Sequence, residues 1–348
     1  MPLPPVDMKE QVVFLKSLLE IPSPTGYTTR AVEFIENALK SHDELSFHYT
    51  KKGGLLVTWP GMRSDHPRAL TAHVDTLGAM VKEVKSNGRL RLTSVGGFAW
   101  STVEGEGCTL YKQDGETVRG SILLRKASGH VYGKEVETLE RKDENMEVRP
   151  DIVTTSAEET LAAGIQVGDF VSFDARVEIN NGFIRSRHLD DKACVANIVY
   201  AVKALLNAKL QPAYTTYLYF SNYEEVGHGA ASGIPAEVDE IVVVDMAAVG
   251  EGQTSSELHT TICVKDSRGP YHAELSNRMR RLASQYEIPY KVDIYPFYGS
   301  DGGAFLAAGG DAAVCLIGPG VDASHSYERT HTDALLATTK WLVAYLIN

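Results

Sequence analysis

The chain has 348 residues, 43% hydrophobic and 23% charged, with a formal net charge of -11, a balance that excludes a nucleic-acid footprint because phosphate binding needs a basic face. That length can bury a substantial core and suits about two domains. No run of about 18 or more apolar residues is present to span a membrane, no basic-then-apolar leader opens the chain, and Cys108, Cys194, Cys263 and Cys315 lack CxxC spacing, so a cytoplasmic protein with buried thiols is expected, without zinc ribbon or disulfide framework.

Val12, Leu15, Leu18 and Leu19 share one side of Met8–Ile21, the spacing of an amphipathic helix. The IPSPTG segment ends it, and Thr28 is placed to cap a second helix in which Ala31, Ile35, Ala38 and Leu39 recur at helical spacing. Both should cover a sheet that begins with strands Leu55–Trp59 and Arg68–Asp75. The second delivers His73 and Asp75 at its C-terminal end, the edge where open α/β sheets bind ligands. From about Ala79 to Ala175 short β-like runs take over, with hairpin signals at Asn87-Gly88 and Asp114-Gly115. They predict a small inserted β-barrel or PDZ-like domain at residues 79–175, set within a larger domain formed by 1–78 and 176–348. Inside the insert, Lys134–Arg149 is dense in charge and poor in apolar residues, so a mobile or solvated loop is expected. Ser156 with Glu159 has the pattern of a capping box ahead of a short helix that stops at Gly164. The run VEGEG at 103–107 lacks the strand-turn-helix setting and third glycine of a phosphate loop, and reads as a turn.

After the insert, Asp190-Asp191 precedes a long helix, Lys192–Asn207, with Val195, Ile198, Val199, Val202 and Leu205 on its inner side. The β-rich run Tyr214–Phe220 leads into Glu224 and Glu225, and IVVVD ends in Asp245. A helix at Leu275–Tyr286, the strand-like VDIYPF, a Gly-rich turn at Gly299–Gly303 and the strand AAVCLIG bring the chain to a loop carrying His325. A last helix, Ala334–Leu346, completes an α/β fold: a doubly wound mixed sheet flanked by helices.

Two neighbouring glutamates at the end of a buried strand repel each other, and each is costly to desolvate unless a cation or a proton sits nearby. A solvated acidic turn is the ordinary alternative. Against it stands the wider pattern: His73 with Asp75, Asp190, Glu224 with Glu225, Asp245 and His325 all follow closely on β-like runs. In a doubly wound sheet such strand ends converge on one crevice. Imidazole with carboxylate suits Zn²⁺, Co²⁺ or Mn²⁺ better than Ca²⁺ or Mg²⁺, and one imidazole per ion with a shared carboxylate would build a two-metal site.

The motifs HVD at 73–75, LDD at 189–191, EEVG at 224–227, VVD at 243–245 and SHS at 324–326, in that order, resemble the M42 family of dinuclear metalloaminopeptidases, which includes glutamyl aminopeptidases and the tetrahedral TET peptidases. The similarity extends over nearly the whole chain, including IPSPTG and the β insert. It implies that Asp190 bridges two divalent ions, zinc or cobalt with manganese as a further candidate. His73 and Asp245 would complete one ion's ligands, Glu225 and His325 the other's. Glu224 would then be the general base, and Asp75 would accept the second N–H of His73. Such a pair of ions activates a shared water and polarises the scissile carbonyl. A cis Asp190-Asp191 peptide is also implied, as is a substrate-lining role for Ser300 and Asp301 in a turn where the family usually has Gly-Thr-Asp-Ala. The expected substrates are short peptides, and the expected assembly is a homo-oligomer, from dimer to dodecamer, built with the help of the insert.

His228, His331 and Asp333 lie near these motifs but read as ordinary loop residues, His130 as structural, and His188 as a support for the neighbouring Asp190. Departures from the family pattern fall at Tyr327, where proline is common, at Lys192, where arginine is usual, and between Met146 and Ser156, where the customary acidic pattern is absent. They leave the side-chain preference open, and no basic cluster marks an acidic substrate. Two other readings stand beside the aminopeptidase: a dinuclear deacylase of N-acylated amino acids, and a catalytically silent scaffold, although no ligand or base of the pattern is missing.

Overall fold

The computed structural model describes residues 2–348. Its centre is a mixed sheet in which Tyr214–Ser221, Arg63–His73, Glu240–Val244 and Ala313–Asp322 lie side by side and parallel. Leu55–Trp59 and Ser46–Tyr49 extend one side in antiparallel pairing. Thr260–Asp266, Glu328–His331 and Phe183–Ser186 extend the other. Ile241, Val242, Val243 and Val244 are buried in succession, as a parallel strand covered on both faces requires. One face packs against helices Met8–Leu19, Leu189–Asn207 and Thr332–Ile347. Each fully buried Val, Leu or Ile there contributes about 1.5–3 kcal/mol. The polar Asn197 is tolerated in that layer because its amide donates to Leu335 O and Thr339 Oγ1, both at 2.8 Å. Among the described residues, no helix is long and apolar enough to cross a membrane.

Six strands between Gly78 and Phe173 close into a barrel: Gly78–Val84, Leu90–Val95, Met146–Pro150, Thr117–Leu124, Gly107–Tyr111 and Phe170–Phe173, in that spatial order. The barrel has its own core, with Val81, Leu92, Leu110, Ile122, Val148 and Val171 buried. The hairpins fall where the turn dipeptides predict, with Gly88 at φ 79° and Gly115 at φ 86°, a left-handed backbone that glycine adopts without a Cβ clash.

Several local expectations are corrected. The charged segment Lys134–Arg149 is not simply a solvated loop: Glu135–Thr138 is helical and Met146–Pro150 is a barrel strand. Glu147 on that strand is buried because Lys85 and Arg89 on the neighbouring hairpin pair with it. Thr28 makes no side-chain cap; its hydroxyl instead accepts from Asn222 Nδ2 at 3.2 Å. Ser156 does cap its helix, but Glu159 turns to Thr155 N at 2.6 Å, so the box is not reciprocal. The Gly299–Gly303 turn is in part the start of a helix, Asp301–Ala307. A Cβ at Gly302 would lie 2.6 Å from Val314 and 2.8 Å from Val243, so glycine permits that helix to press against the sheet.

Candidate metal centre

The site gathers at the C-terminal edge of the parallel strands. His73 is the last residue of Arg63–His73 and lies in register with Ser221 on the adjoining strand. Glu224 and Glu225 follow Ser221 in a 3₁₀ turn, Asp245 follows directly on Glu240–Val244, and Asp190 sits at the start of the long helix. Asp190 and Asp191 depart from helical geometry, and the peptide between them is cis. The structure thereby brings together two triads, His73 with Asp190 and Asp245, and Asp190 with Glu225 and His325. Within each, one ligand atom per residue lies within 4.8 Å of the others. Asp190 belongs to both: its Oδ1 is 3.1 Å from His73 Nε2 and its Oδ2 is 3.4 Å from His325 Nε2. The Glu224 carboxylate lies alongside, 3.8 Å from His73 Nε2, and is not a member of either triad.

Both imidazoles are oriented by carbonyls. His73 Nδ1 is 2.9 Å from Asp75 O, and His325 Nδ1 is 2.5 Å from Gly97 O. A carbonyl only accepts, so Nδ1 of each ring carries a hydrogen, and Nε2 is the nitrogen turned toward the carboxylates. This differs from the role expected of Asp75, whose Oδ1 lies 3.6 Å from His73 Nδ1. The strand ends at His73, and the Asp75 carboxylate instead accepts from Glu224 N at 3.1 Å, Glu225 N at 3.2 Å and Thr25 Oγ1 at 2.7 Å. Asp75 therefore fixes the turn that presents the paired glutamates.

The electrostatics are those of a site built for positive charge. Burial, reinforced by Asp190, pushes Asp245 up to about 7. Burial also drives Glu224 and Glu225 well above the usual carboxylate range, with nearby carboxylates adding to it. Burial opposes ionisation of Asp190 too, but the imidazoles of His325 and His73 outweigh it and hold that carboxyl below its ordinary value. Against the lowering effect of burial, Asp190 raises His73 well above the usual imidazole range and His325 to about 10. Carboxylates crowded out of water require protons or cations, and divalent ions replace those protons. Imidazole nitrogen with carboxylate oxygen, one bridging carboxylate and one imidazole on each side is a donor set that fits two such ions.

Two further carboxylates support the site, Glu328 and Asp191. Glu328 is buried, with Oε2 accepting from Asp190 N at 3.0 Å and Oε1 from His325 N at 3.1 Å, so one carboxylate braces the backbone of both residues. Its only sequence cue is an acidic side chain three residues after His325. That brace matters because His325 has φ 64°, a left-handed backbone unusual for a side-chain-bearing residue. Asp191 Oδ2 accepts from His73 N at 3.2 Å.

The expected substrate residues divide. Ser300 lines a cleft of about 520 Å³ that also contains Asp190, Glu224, Glu225, Asp245 and His325. Asp301 is turned into the protein, where Thr71 Oγ1 at 2.8 Å, Ser221 Oγ at 2.6 Å and Ala230 N at 2.8 Å occupy its carboxylate. It ties the helix to the strand ends and does not line the cleft, because the local turn is helical. His188 is buried behind Asp190 at φ 73°, held down to about 3 by burial and the charges of Lys192 and Arg187. His228 stacks on Tyr223 with ring centroids 5.0 Å apart, and His331 caps the last helix by accepting from Asp333 N at 3.1 Å. His130 is exposed on a short helix of the barrel.

The sequence profile of M42 glutamyl aminopeptidases matches residues 53–341. YhfE of Bacillus subtilis (strain 168) is 46% identical over 340 residues, covering 97% of this chain and 98% of YhfE. Among solved structures, a TET aminopeptidase from the marine sediment archaeon Thaumarchaeota archaeon SCGC AB-539-E09 superimposes with a TM-score of 0.87 at 18% identity, covering 97% of this chain and 96% of that one. The TET1 peptidase of Pyrococcus horikoshii, which can assemble into a tetrahedron or a large octahedral shell, has a TM-score of 0.83 at 22% identity, over 98% of this chain and 100% of that one. With its strand-end carboxylates and imidazoles, its barrel and a profile match over most of its length, the chain belongs to the M42 glutamyl aminopeptidase family.

Proposed function

We propose that the protein is a two-metal aminopeptidase that removes N-terminal residues from short peptides. The observation that carries this reading is the sharing of Asp190 between two imidazole-carboxylate triads, with Glu224 beside them and in neither. His73, Asp190 and Asp245 would hold one ion, and Asp190, Glu225 and His325 the other; zinc, cobalt and manganese suit these donors. When bound, the ions supply Lewis-acid polarisation of the substrate carbonyl and lower the pKa of a shared water.

The remaining work falls to the chain's own side chains. Glu224 takes a proton from the attacking water and delivers it to the leaving amine nitrogen, with Asp75 holding its backbone in place. The acidic cleft attracts a free α-ammonium group, which favours cleavage at the first residue. Tyr295, Pro296 and Tyr298 form an apolar flank for the substrate chain, while Ser300, hydrogen-bonded to Tyr271 OH at 2.8 Å, supplies a polar point on the wall.

Metal-replete protein should hydrolyse free di- and tripeptides at least about 100-fold faster than their N-acetylated forms, since acetylation removes the charge that the cleft attracts. Preference for the blocked substrates would replace this reading with the deacylase, and inactivity toward both with the scaffold. The fold shared with shell-forming TET peptidases supports a homo-oligomer. Sedimentation velocity should give a species larger than the 38.0 kDa chain, and a stable monomer at micromolar concentration would contradict it.

A further inference from the structure

Resting on the two-ion reading, we infer that the inserted barrel is a working part of one metal site and not of the other. Its docking sets the affinity for the ion held by Asp190, Glu225 and His325. The ion held by His73, Asp190 and Asp245 shares Asp190 with that site but takes its other two ligands, His73 and Asp245, from strand ends of the sheet.

The asymmetry is visible in what surrounds each triad. His73 is 2% exposed at the end of a central strand, and its ring and backbone contacts go to Asp75 O and Asp191 Oδ2. Asp245 N donates to Ile317 O at 3.0 Å, again within the sheet. His325, by contrast, has a side chain 41% exposed, and the atom that orients its ring is the main-chain oxygen of Gly97, which belongs to the barrel segment. The same turn lies against the next ligand, Glu225. At Gly96, with φ 81°, a Cβ would stand 2.5 Å from Leu77 Cδ2 and 3.5 Å from both Glu225 Cβ and Glu225 O. Behind these residues Phe98, Val103 and Phe173 from the barrel close a cavity of about 10 Å³, room for roughly one water, against Asp190, Glu225 and His325.

One buried cation holds the two bodies together at this point. Arg187 Nη2 donates to Thr102 O and to Glu106 Oε1, the latter at 3.1 Å, while Nη1 donates to Ser326 O at 3.2 Å. Arg187 and Glu106 are 3% and 6% exposed. A single guanidinium thus spans the barrel turn 102–106 and the loop that carries His325. Arg176, which follows the last barrel strand, adds a second contact to Glu106 at 3.2 Å. Gly97 O is a main-chain atom, so its distance from His325 is set by how the barrel is seated. Partners that orient a ligating histidine typically govern 10- to 100-fold in metal affinity. Coupling of this kind is reciprocal, so the ion must in turn steady the barrel contact.

The test is a Zn²⁺ titration of the metal-stripped full-length protein against a competing chelator, with amide exchange followed over residues 96–103. Wild-type protein should bind in two steps, and the second equivalent should slow exchange in that segment. Glu106→Gln should weaken one step by about 10- to 100-fold, leave the other within about threefold, and abolish the exchange effect. Glu147→Gln, which disturbs a barrel ion pair away from this contact, should leave both steps in place. Should Glu106→Gln not fold, the exchange measurement on the wild type still decides. No slowing on the second equivalent overturns the inference, as do two steps that weaken together or not at all in Glu106→Gln, or an equal effect of Glu147→Gln. Uptake of a single equivalent by wild-type protein overturns the two-ion reading, and this inference with it.

Discussion

Glu224→Gln should lower peptide turnover by about 10²- to 10⁴-fold, the range supplied by a positioned acid-base group, while metal content stays at the wild-type level. Glutamine matches glutamate in shape and keeps its main-chain N–H, which donates to Asp75 Oδ1 at 3.1 Å, so the turn is preserved. What is lost is the ability to take and return a proton. Because Glu224 is outside both triads, neither triad loses a donor. The measurement is a steady-state assay with the metal content of the same sample determined in parallel. Activity within about threefold of wild type would remove Glu224 from the base role, and loss of an ion would recast it as a ligand.

Asp190→Ala should produce a larger defect by a different route. Its two carboxylate oxygens face different imidazoles, at 3.1 and 3.4 Å, so its removal takes a ligand from each triad at once. The variant should retain at most one equivalent after dialysis against metal-free buffer, and its turnover should fall below that of Glu224→Gln. Asp245→Ala, which strips only one triad, is the matched comparison and should spare the ion at Glu225 and His325. Two full equivalents in Asp190→Ala would exclude Asp190 as the bridge. Glu328 adds a structural expectation to the same experiment. Burial and the Asp190 charge push its carboxyl up to about 8, so removing Asp190 relaxes one of the groups that make this pocket costly to fold without a cation.

The amino-acid sequence by itself determined the main outlines. Helical spacing marked Met8–Leu19 and the long helix after Asp191, and Asn87-Gly88 and Asp114-Gly115 marked two barrel hairpins, because periodicity and turn chemistry are local properties. It also determined which side chains would meet. His73, Asp190, Glu225, Asp245 and His325 each end or follow a strand or open a helix at one edge, and a parallel sheet gathers such positions whatever their separation in the chain.

Only the tertiary structure decided how those side chains are held. Met146–Pro150 is a strand despite its charged surroundings, because Lys85 and Arg89, some sixty residues away, neutralise Glu147. Asp301 is drawn into the sheet by Thr71 and Ser221, Glu328 reaches back to Asp190, and Asp75 serves the glutamate turn through its carboxylate and His73 through its carbonyl. The contact between Gly97 O and His325 is the extreme case, since every residue has a carbonyl and none announces its partner. A residue's chemistry is written in its type, but the partner that orients it is chosen by distances that exist only once the chain has folded.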